Sequence, residues 1–188
     1  AGWSALVTTR TTSATGQTTG GSVPAVFLDR DGVLIEDTGY PHLESHLTLI
    51  PGADSAVRRL NALGYLVVVV TNQSGVARGL FNETQMHAFN DLIVRRLAAR
   101  GARIGAVYAC PFHREARDPR YFHADHPDRK PNPGMITRAI ADHGIDPARS
   151  FMIGDRPTDL EAAKRAGLPG FLFEGGDLDE FVRDLLGG

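Results

Sequence analysis

The sequence predicts an α/β protein in three layers, α/β/α, with a parallel sheet covered by helices on both faces. Three observations predict it. Short apolar runs alternate with stretches whose apolar residues recur at helical spacing, the pattern of repeated βα units. The run Leu66–Val70 reads Leu-Val-Val-Val-Val, apolar at consecutive positions as in a parallel strand buried on both faces. Polar, chemically capable residues follow the apolar runs directly: Asp29-Arg30-Asp31, Thr71-Asn72-Gln73-Ser74, Cys110 and Gly154-Asp155. In open α/β sheets, ligands bind outside the carboxyl ends of the strands.

Ala1–Ser22 stands apart. Thr8–Thr19 is rich in Thr, Ser and Gly without sustained periodicity, so residues 1–22 read as a flexible N-terminal arm with Trp3 and Leu6 as its anchors. Residues 23–188 read as one domain whose folded part starts at Pro24. Val26–Leu28 is the first strand and Gly32–Gly39 a loop. Pro51-Gly52 turns into a helix carried by Ala53, Ala56, Val57, Leu60 and Leu63, stopped at Gly64. Leu66–Val70 is the second strand. Asn82 and Gln85 have capping-box spacing, ahead of a helix with Met86, Phe89, Ile93 and Leu97 on its apolar stripe. Ile104–Ala109 is the third strand, and Cys110–Arg129 a long loop rich in His, Asp, Arg and Pro. Asn132-Pro133 reads as cap and first position of a helix buried through Ile136, Ala139 and Ile140. Ser150–Ile153, the helix Pro157–Ala166 and Gly170–Phe173 follow. Asp177 and Glu180 box a last helix with a stripe of Leu178, Phe181, Val182, Leu185 and Leu186.

Bulk properties exclude several classes. The 188 residues suffice for one domain with a sizeable core. A net charge of −2 gives no electrostatic reason for a nucleic-acid or anionic-membrane partner. No apolar run reaches the roughly 20 residues that span a bilayer, and no basic-then-apolar leader is present. The single cysteine, Cys110, excludes an internal disulfide and fits a reducing compartment. The expected location is the cytoplasm. His42, His46 and His87 read as surface residues, and Arg95, Arg96 and Arg100 as a solvated face.

The strand ends supply the chemistry. Asp29 and Asp31 are one residue apart, and like charges this close raise each other's pKa unless a cation intervenes. With Asp155 they form an oxygen-only set suited to a hard cation such as Mg2+. A carboxylate can also serve as nucleophile toward phosphorus, with a second carboxyl beside it to move protons. The Thr71 hydroxyl can hold phosphoryl oxygens and Lys130 can offset their charge.

Four segments together resemble the motifs of the haloacid dehalogenase (HAD) superfamily: Asp29-Arg30-Asp31-Gly32-Val33, Thr71-Asn72, Lys130-Pro131, and Gly154-Asp155 with Asp159. Their order and spacing fit from Pro24 to the C-terminus. The finer likeness is to the subfamily of heptose-bisphosphate phosphatases and histidinol-phosphatases. It is carried by Thr71–Gly75 with Ala77-Arg78-Gly79, by Cys110-Pro111, and by Arg129–Met135. The resemblance implies a Rossmann-like, HAD-like sheet and a Mg2+-dependent phosphatase working through an aspartyl-phosphate. It implies Asp29 as nucleophile, Asp31 as acid/base and backbone metal ligand, and Thr71 and Lys130 as phosphoryl-group holders. Metal ligands would be Asp29, Asp31 and Asp155, with Asp159 in support. Asp37, Tyr40, Asn72, Gln73, Ser74 and Arg129 would contact substrate, a small phosphorylated sugar. Histidinol phosphate or another monoester is the alternative substrate, and a HAD-like binding module without turnover the alternative class.

The gaps between motifs leave no room for a separate cap domain, so selectivity falls to loops. Relatives near the heptose enzymes carry a structural zinc in the loop after the third strand. Here Phe112 stands where Cys-x-His requires His, and His126 and Asp128 stand in the later cysteine positions. A remodelled Zn2+ site from Cys110, His113, His123 and His126 is one reading. Loss of zinc, with these as solvated loop residues, is the reading favoured from sequence.

Overall fold

The computed structural model describes residues 22–187. The arm, with Trp3 and Leu6, therefore lies outside the described residues except for Ser22. Five parallel strands are present: β1 (Ala25–Leu28), β2 (Leu66–Asn72), β3 (Ala106–Cys110), β4 (Phe151–Gly154) and β5 (Gly170–Leu172). They lie in the order β3-β2-β1-β4-β5. β1 is central, with Phe27 registered against Val68 on one side and Met152 on the other. The helices are α1 (Ala53–Ala62), α2 (Ser74–Ala77), α3 (Glu83–Ala98), α4 (Gly134–His143), α5 (Pro157–Arg165) and α6 (Leu178–Leu185).

Alternation along each strand builds two cores. Val26, Leu28, Val67, Val69 and Ile153 face α1, α3 and α6 through Val57, Leu60, Ile93, Leu97 and Val182. Ala25, Phe27, Val68, Val70 and Met152 face α4 and α5 through Met135, Ile136, Ala139, Ala162 and Ala163. These are the three layers read from the sequence. Between β1 and β2 the chain inserts only a 3-10 turn and α1, and between β2 and Lys130 only α2, α3, β3 and one 3-10 turn. No separate cap domain is present among the described residues.

Several boundaries differ from expectation. β2 runs two residues further, to Asn72, because β3 continues to pair with it through Asn72 and Cys110. β3 starts at Ala106 rather than Ile104. At Gly105 the chain passes so close to β2 that a Cβ would lie 2.3 Å from Leu66 Cδ1, and Ile104 packs into the core instead of pairing. α4 is capped by Pro133, not Asn132. The Asn132 amide is used elsewhere, donating to Asp125 Oδ1 at 2.6 Å and to the His126 carbonyl at 3.0 Å. The Asn82–Gln85 capping box forms in both directions. The Asp177 cap on α6 is one-sided: Asp177 accepts from the amides of Asp179 and Glu180, while Glu180 is exposed. The one-turn helix α2 had no periodic signal, being too short to show one.

Candidate active site

The β-strand ends carry the polar residues to one rim. Asp29 extends β1 by one step, its amide donating to the Ile153 carbonyl at 3.1 Å. The chain then turns back at Gly32, where φ is +84°, and buries Val33, Leu34 and Ile35 completely. A cavity of about 570 Å³ opens above the rim. Its lining includes all ten residues expected to be catalytic or substrate-contacting: Asp29, Asp31, Asp37, Tyr40, Thr71, Asn72, Gln73, Ser74, Arg129 and Lys130.

Lys130 organises the centre. It is 4% exposed, and its Nζ lies 2.9 Å from Asp29 Oδ1, 2.7 Å from Asp159 Oδ1 and 2.8 Å from the Val70 carbonyl. Three acceptors match the three donors of an ammonium. Burial pulls the Lys130 pKa down, but Asp29 and Asp159 together outweigh it and hold the amine above its ordinary value, as a cation. The Lys130–Pro131 peptide is cis. Asn72 pins this segment through both halves of its amide, donating to the Lys130 carbonyl and accepting from its amide N–H, each at 3.0 Å. Asn72 therefore positions Lys130 as well as lining the cavity.

Asp31 is held differently. Arg30 Nε donates to its Oδ1 at 2.8 Å and Arg30 Nη2 to its Oδ2 at 3.0 Å. Burial raises the Asp31 pKa against the opposing pull of Arg30. Gln73 Nε2 bridges Asp31 Oδ2 at 3.1 Å and Thr71 Oγ1 at 2.8 Å. Gln73 is 3% exposed, so its amide serves these two side chains more than a ligand. Because Thr71 accepts from Gln73, its hydroxyl hydrogen stays free to donate into the cavity.

The carboxylates best placed for a cation are Asp29, Asp155 and Asp159, which bring oxygens within 4.8 Å of one another, the one such group among the described residues. Asp155 Oδ1 is buried with no hydrogen-bond partner among the described residues, an orphan that a cation would satisfy. Burial, then Asp29 and Asp159, push the Asp155 pKa up to about 6. Gly32 makes room for it: a Cβ there would lie 2.4 Å from Asp155 Oδ2. Asp159 is already engaged at both oxygens, by Lys130 and by the Arg156 amide at 3.0 Å, which fits a supporting place. The expected ligand Asp31 differs from the other two, since its carboxylate faces Arg30 and leaves only its backbone carbonyl for a metal. These donors, all oxygen and with one unpaired, fit a hard divalent cation.

The rim carries two arginines. Arg129 is half-buried, donates to the Phe112 carbonyl at 3.3 Å, and pairs with no carboxylate among the described residues. Arg156, missed in the sequence, lines the cavity and pairs with Asp37 at 2.8 Å. It stands directly after Asp155 at a strand end, and that position was its available signal. Tyr40 takes a left-handed φ of 58°, and His42 Nδ1 sits 2.8 Å from its carbonyl while the His42 ring stacks on Phe81. His42 thus braces the rim of the site.

The histidine loop is folded but not gathered. Cys110 Sγ lies 3.9 Å from His126 Nδ1, and His126 stacks on Phe112 with centroids 4.1 Å apart. His113 Nδ1 instead accepts from the Glu115 amide at 3.0 Å. Cys110, His113, His123 and His126 do not converge as a donor group.

A three-layer parallel sheet with this aspartate–lysine–aspartate centre defines a HAD-like hydrolase. A family model described as HAD-hydrolase-like matches residues 128–181. The chain is 48% identical to a D-glycero-beta-D-manno-heptose-1,7-bisphosphate 7-phosphatase of Rhodopseudomonas palustris, over 87% of this chain and 90% of that protein. It is 44% identical to the enzyme of the same name from Pasteurella multocida, over 76% of each. A solved D,D-heptose 1,7-bisphosphate phosphatase from B. bronchiseptica, complexed with magnesium and phosphate, matches with a TM-score of 0.75 at 30% identity, over 87% of this chain and 98% of that one. The chain belongs to this family of HAD-type phosphatases and is a phosphoric monoester hydrolase.

Proposed function

We propose that this enzyme removes the 7-phosphate of a D-glycero-D-manno-heptose 1,7-bisphosphate, with Mg2+ as cofactor and Asp29 as the carrier of the phosphoryl group. The observation that carries the reading is Asp29 itself. Its Oδ1 accepts from Lys130 and from the Arg30 amide, while Oδ2 has no donor among the described residues and is the oxygen available for attack. Mg2+, held by Asp29, Asp155 and the Asp31 carbonyl, would offset phosphoryl charge.

The chain's own groups do the rest. Asp29 Oδ2 forms a bond to phosphorus as the ester O–P bond breaks, and the proton on Asp31 passes to the leaving sugar oxygen. Water then gives a proton to Asp31 and attacks phosphorus, which frees Asp29 and releases phosphate. The Thr71 hydroxyl donates to a phosphoryl oxygen throughout. Lys130 holds Asp29 in place through Oδ1, since such transfers depend mainly on positioning and electrostatics. Asp37, Tyr40 and Ser74 line the way in. Arg129, a cation without a carboxylate partner among the described residues, suits the second phosphate at the rim. The relatives named above support the choice of a heptose bisphosphate over histidinol phosphate. The single buried thiol of Cys110 suits a reducing compartment, and we place the enzyme in the cytoplasm.

The test is phosphate release from heptose 1,7-bisphosphate, histidinol phosphate and a nucleoside monophosphate, with Mg2+ or with chelator. Fastest turnover on the heptose, lost with chelator and in Asp29→Asn with the fold intact, is the expected outcome. Wild-type activity in Asp29→Asn would refute the covalent route.

A further inference from the structure

Arg30 heads the fully buried side chains by volume, at 1% exposure. Four of the five N–H donors of its guanidinium have acceptors. Nε and Nη2 grip the two Asp31 oxygens, Nη2 also reaches the Pro41 carbonyl at 3.1 Å, and Nη1 reaches Asn90 Oδ1 at 2.8 Å. The ring of Phe89 lies 5.1 Å from its Cζ. Asn90 comes from the middle of α3 and is 5% exposed, on the face that otherwise buries Met86, Phe89, Ile93 and Leu97. An apolar residue would be the cheaper choice there. Two polar side chains from elements 60 residues apart are thus buried to hold one carboxylate.

Stability alone is a weak reason for such an arrangement, since a buried ion pair is often no better than apolar packing of the same shape. We propose that Arg30 is a positioning residue for proton transfer and that Asn90 is its anchor; the inference rests on Asp31 being the acid/base. The two-pronged grip fixes the plane of the Asp31 carboxyl as well as its distance, which a point charge such as lysine cannot do. Alignment of that kind governs transfer to a leaving oxygen. When the ester O–P bond breaks and the Asp31 proton moves to the sugar oxygen, Asp31 becomes an anion. Arg30 is already in place to receive it, with no reorganisation. The proton from water restores Asp31 in the second step.

The consequence is a dependence on the leaving group. A sugar alkoxide is a poor leaving group and needs the proton, whereas p-nitrophenolate leaves without one. In Arg30→Lys, single-turnover cleavage of heptose 1,7-bisphosphate should slow about 100-fold, within the usual range for general acid catalysis. The first-turnover burst from p-nitrophenyl phosphate should keep its rate within about threefold, as should the half-saturating heptose concentration in the same single-turnover experiment, because ground-state binding is unaffected. Equal slowing of both substrates, or of neither, overturns the inference. Should Arg30→Lys not fold, Asn90→Leu decides, with a selective loss of about tenfold expected and an unselective loss or none overturning it. Asp31→Asn separates the positioning role from the reading beneath it: if it too slows both substrates equally, Asp31 is not the acid and the underlying reading fails.

Discussion

Lys130→Met tests the charge balance of the site. Methionine nearly matches the volume of the lysine stem but removes the ammonium that both Asp29 Oδ1 and Asp159 Oδ1 contact, at 2.9 and 2.7 Å. Losing one partner of a buried charge pair costs about 3–5 kcal/mol. At about 2–4 °C per kcal/mol for a domain of this size, the metal-free variant should melt about 6–20 °C below wild type at pH 8. The loss must depend on pH. Asp159 already stands above its ordinary carboxylate value, chiefly through burial, and Lys130 is what pulls it down; without Lys130 its folded-state pKa rises further above the unfolded value of about 3.9. The folded form then binds more protons than the unfolded form between those values, so stability falls as pH rises through the window. The deficit should therefore be largest at pH 8 and shrink toward pH 5. A divalent cation should recover more stability in the variant than in wild type. Thermal unfolding by circular dichroism at both pH values, with and without Mg2+, reads all of this. A variant that melts with wild type at pH 8, or whose deficit is the same at pH 5, would refute the reasoning.

Three further outcomes follow from the same geometry. Gly32→Ala combines a left-handed φ of +84° with a Cβ 2.4 Å from Asp155 Oδ2; it should cost about 1–2 kcal/mol of stability and weaken Mg2+ binding at least about tenfold by calorimetry, since one tenfold step is about 1.4 kcal/mol. Unchanged affinity would mean that Asp155 is not a ligand. Because the Asp155 pKa stands at about 6 without metal, Mg2+ affinity should be flat above neutrality and drop as pH falls through 6, while metal-free stability should rise over the same descent, the folded state being the one that takes up the proton. Cys110 is fully buried and burial pushes its thiol up to about 11, so iodoacetamide at pH 8 should label it only in denaturant; rapid labelling of the native protein would contradict its placement.

Much of the fold was legible because buried parallel strands and amphipathic helices declare themselves through period and composition. A uniform apolar run marks a strand covered on both faces, as in Leu66–Val70, and all five strands were located. What failed was local. Ile104 has strand composition but turns into a core, and Asn132 has cap composition but spends its amide on Asp125 and His126; in both, tertiary contacts override propensity. Of the expected residues that line the cavity, Asp29, Asp31, Thr71, Asn72, Gln73 and Ser74 were legible from position at strand ends, whereas Asp37, Tyr40, Arg129 and Lys130 rested on the family resemblance. The partners of these residues were not legible, because Arg30 lies between the two aspartates in sequence and nothing in the pattern says that it turns inward to Asn90. Arg156 was likewise hidden beside a more conspicuous Asp155.

The crowding of Asp29 and Asp31 is relieved by more than the cation that the sequence suggested. A metal ion between Asp29 and Asp155 was expected to make it tolerable. In addition, each aspartate has its own buried cation, Lys130 for Asp29 and Arg30 for Asp31, approaching from separate elements. Four carboxylates, Asp29, Asp31, Asp155 and Asp159, then meet two buried cations, since Arg156 is largely exposed and paired with Asp37. With all four ionised, two negative charges remain, concentrated where Asp155 Oδ1 has no partner among the described residues. One divalent cation would neutralise them, and a monovalent ion would not. On the roles proposed above, the same balance would divide the work: Lys130 and the cation would both act on Asp29, while Arg30 would orient Asp31 without drawing it toward the metal. Exchanging the two supports, by moving the lysine to Asp31 and the guanidinium to Asp29, would leave the total charge unchanged and should still abolish turnover, because the charges would be right and the alignment wrong.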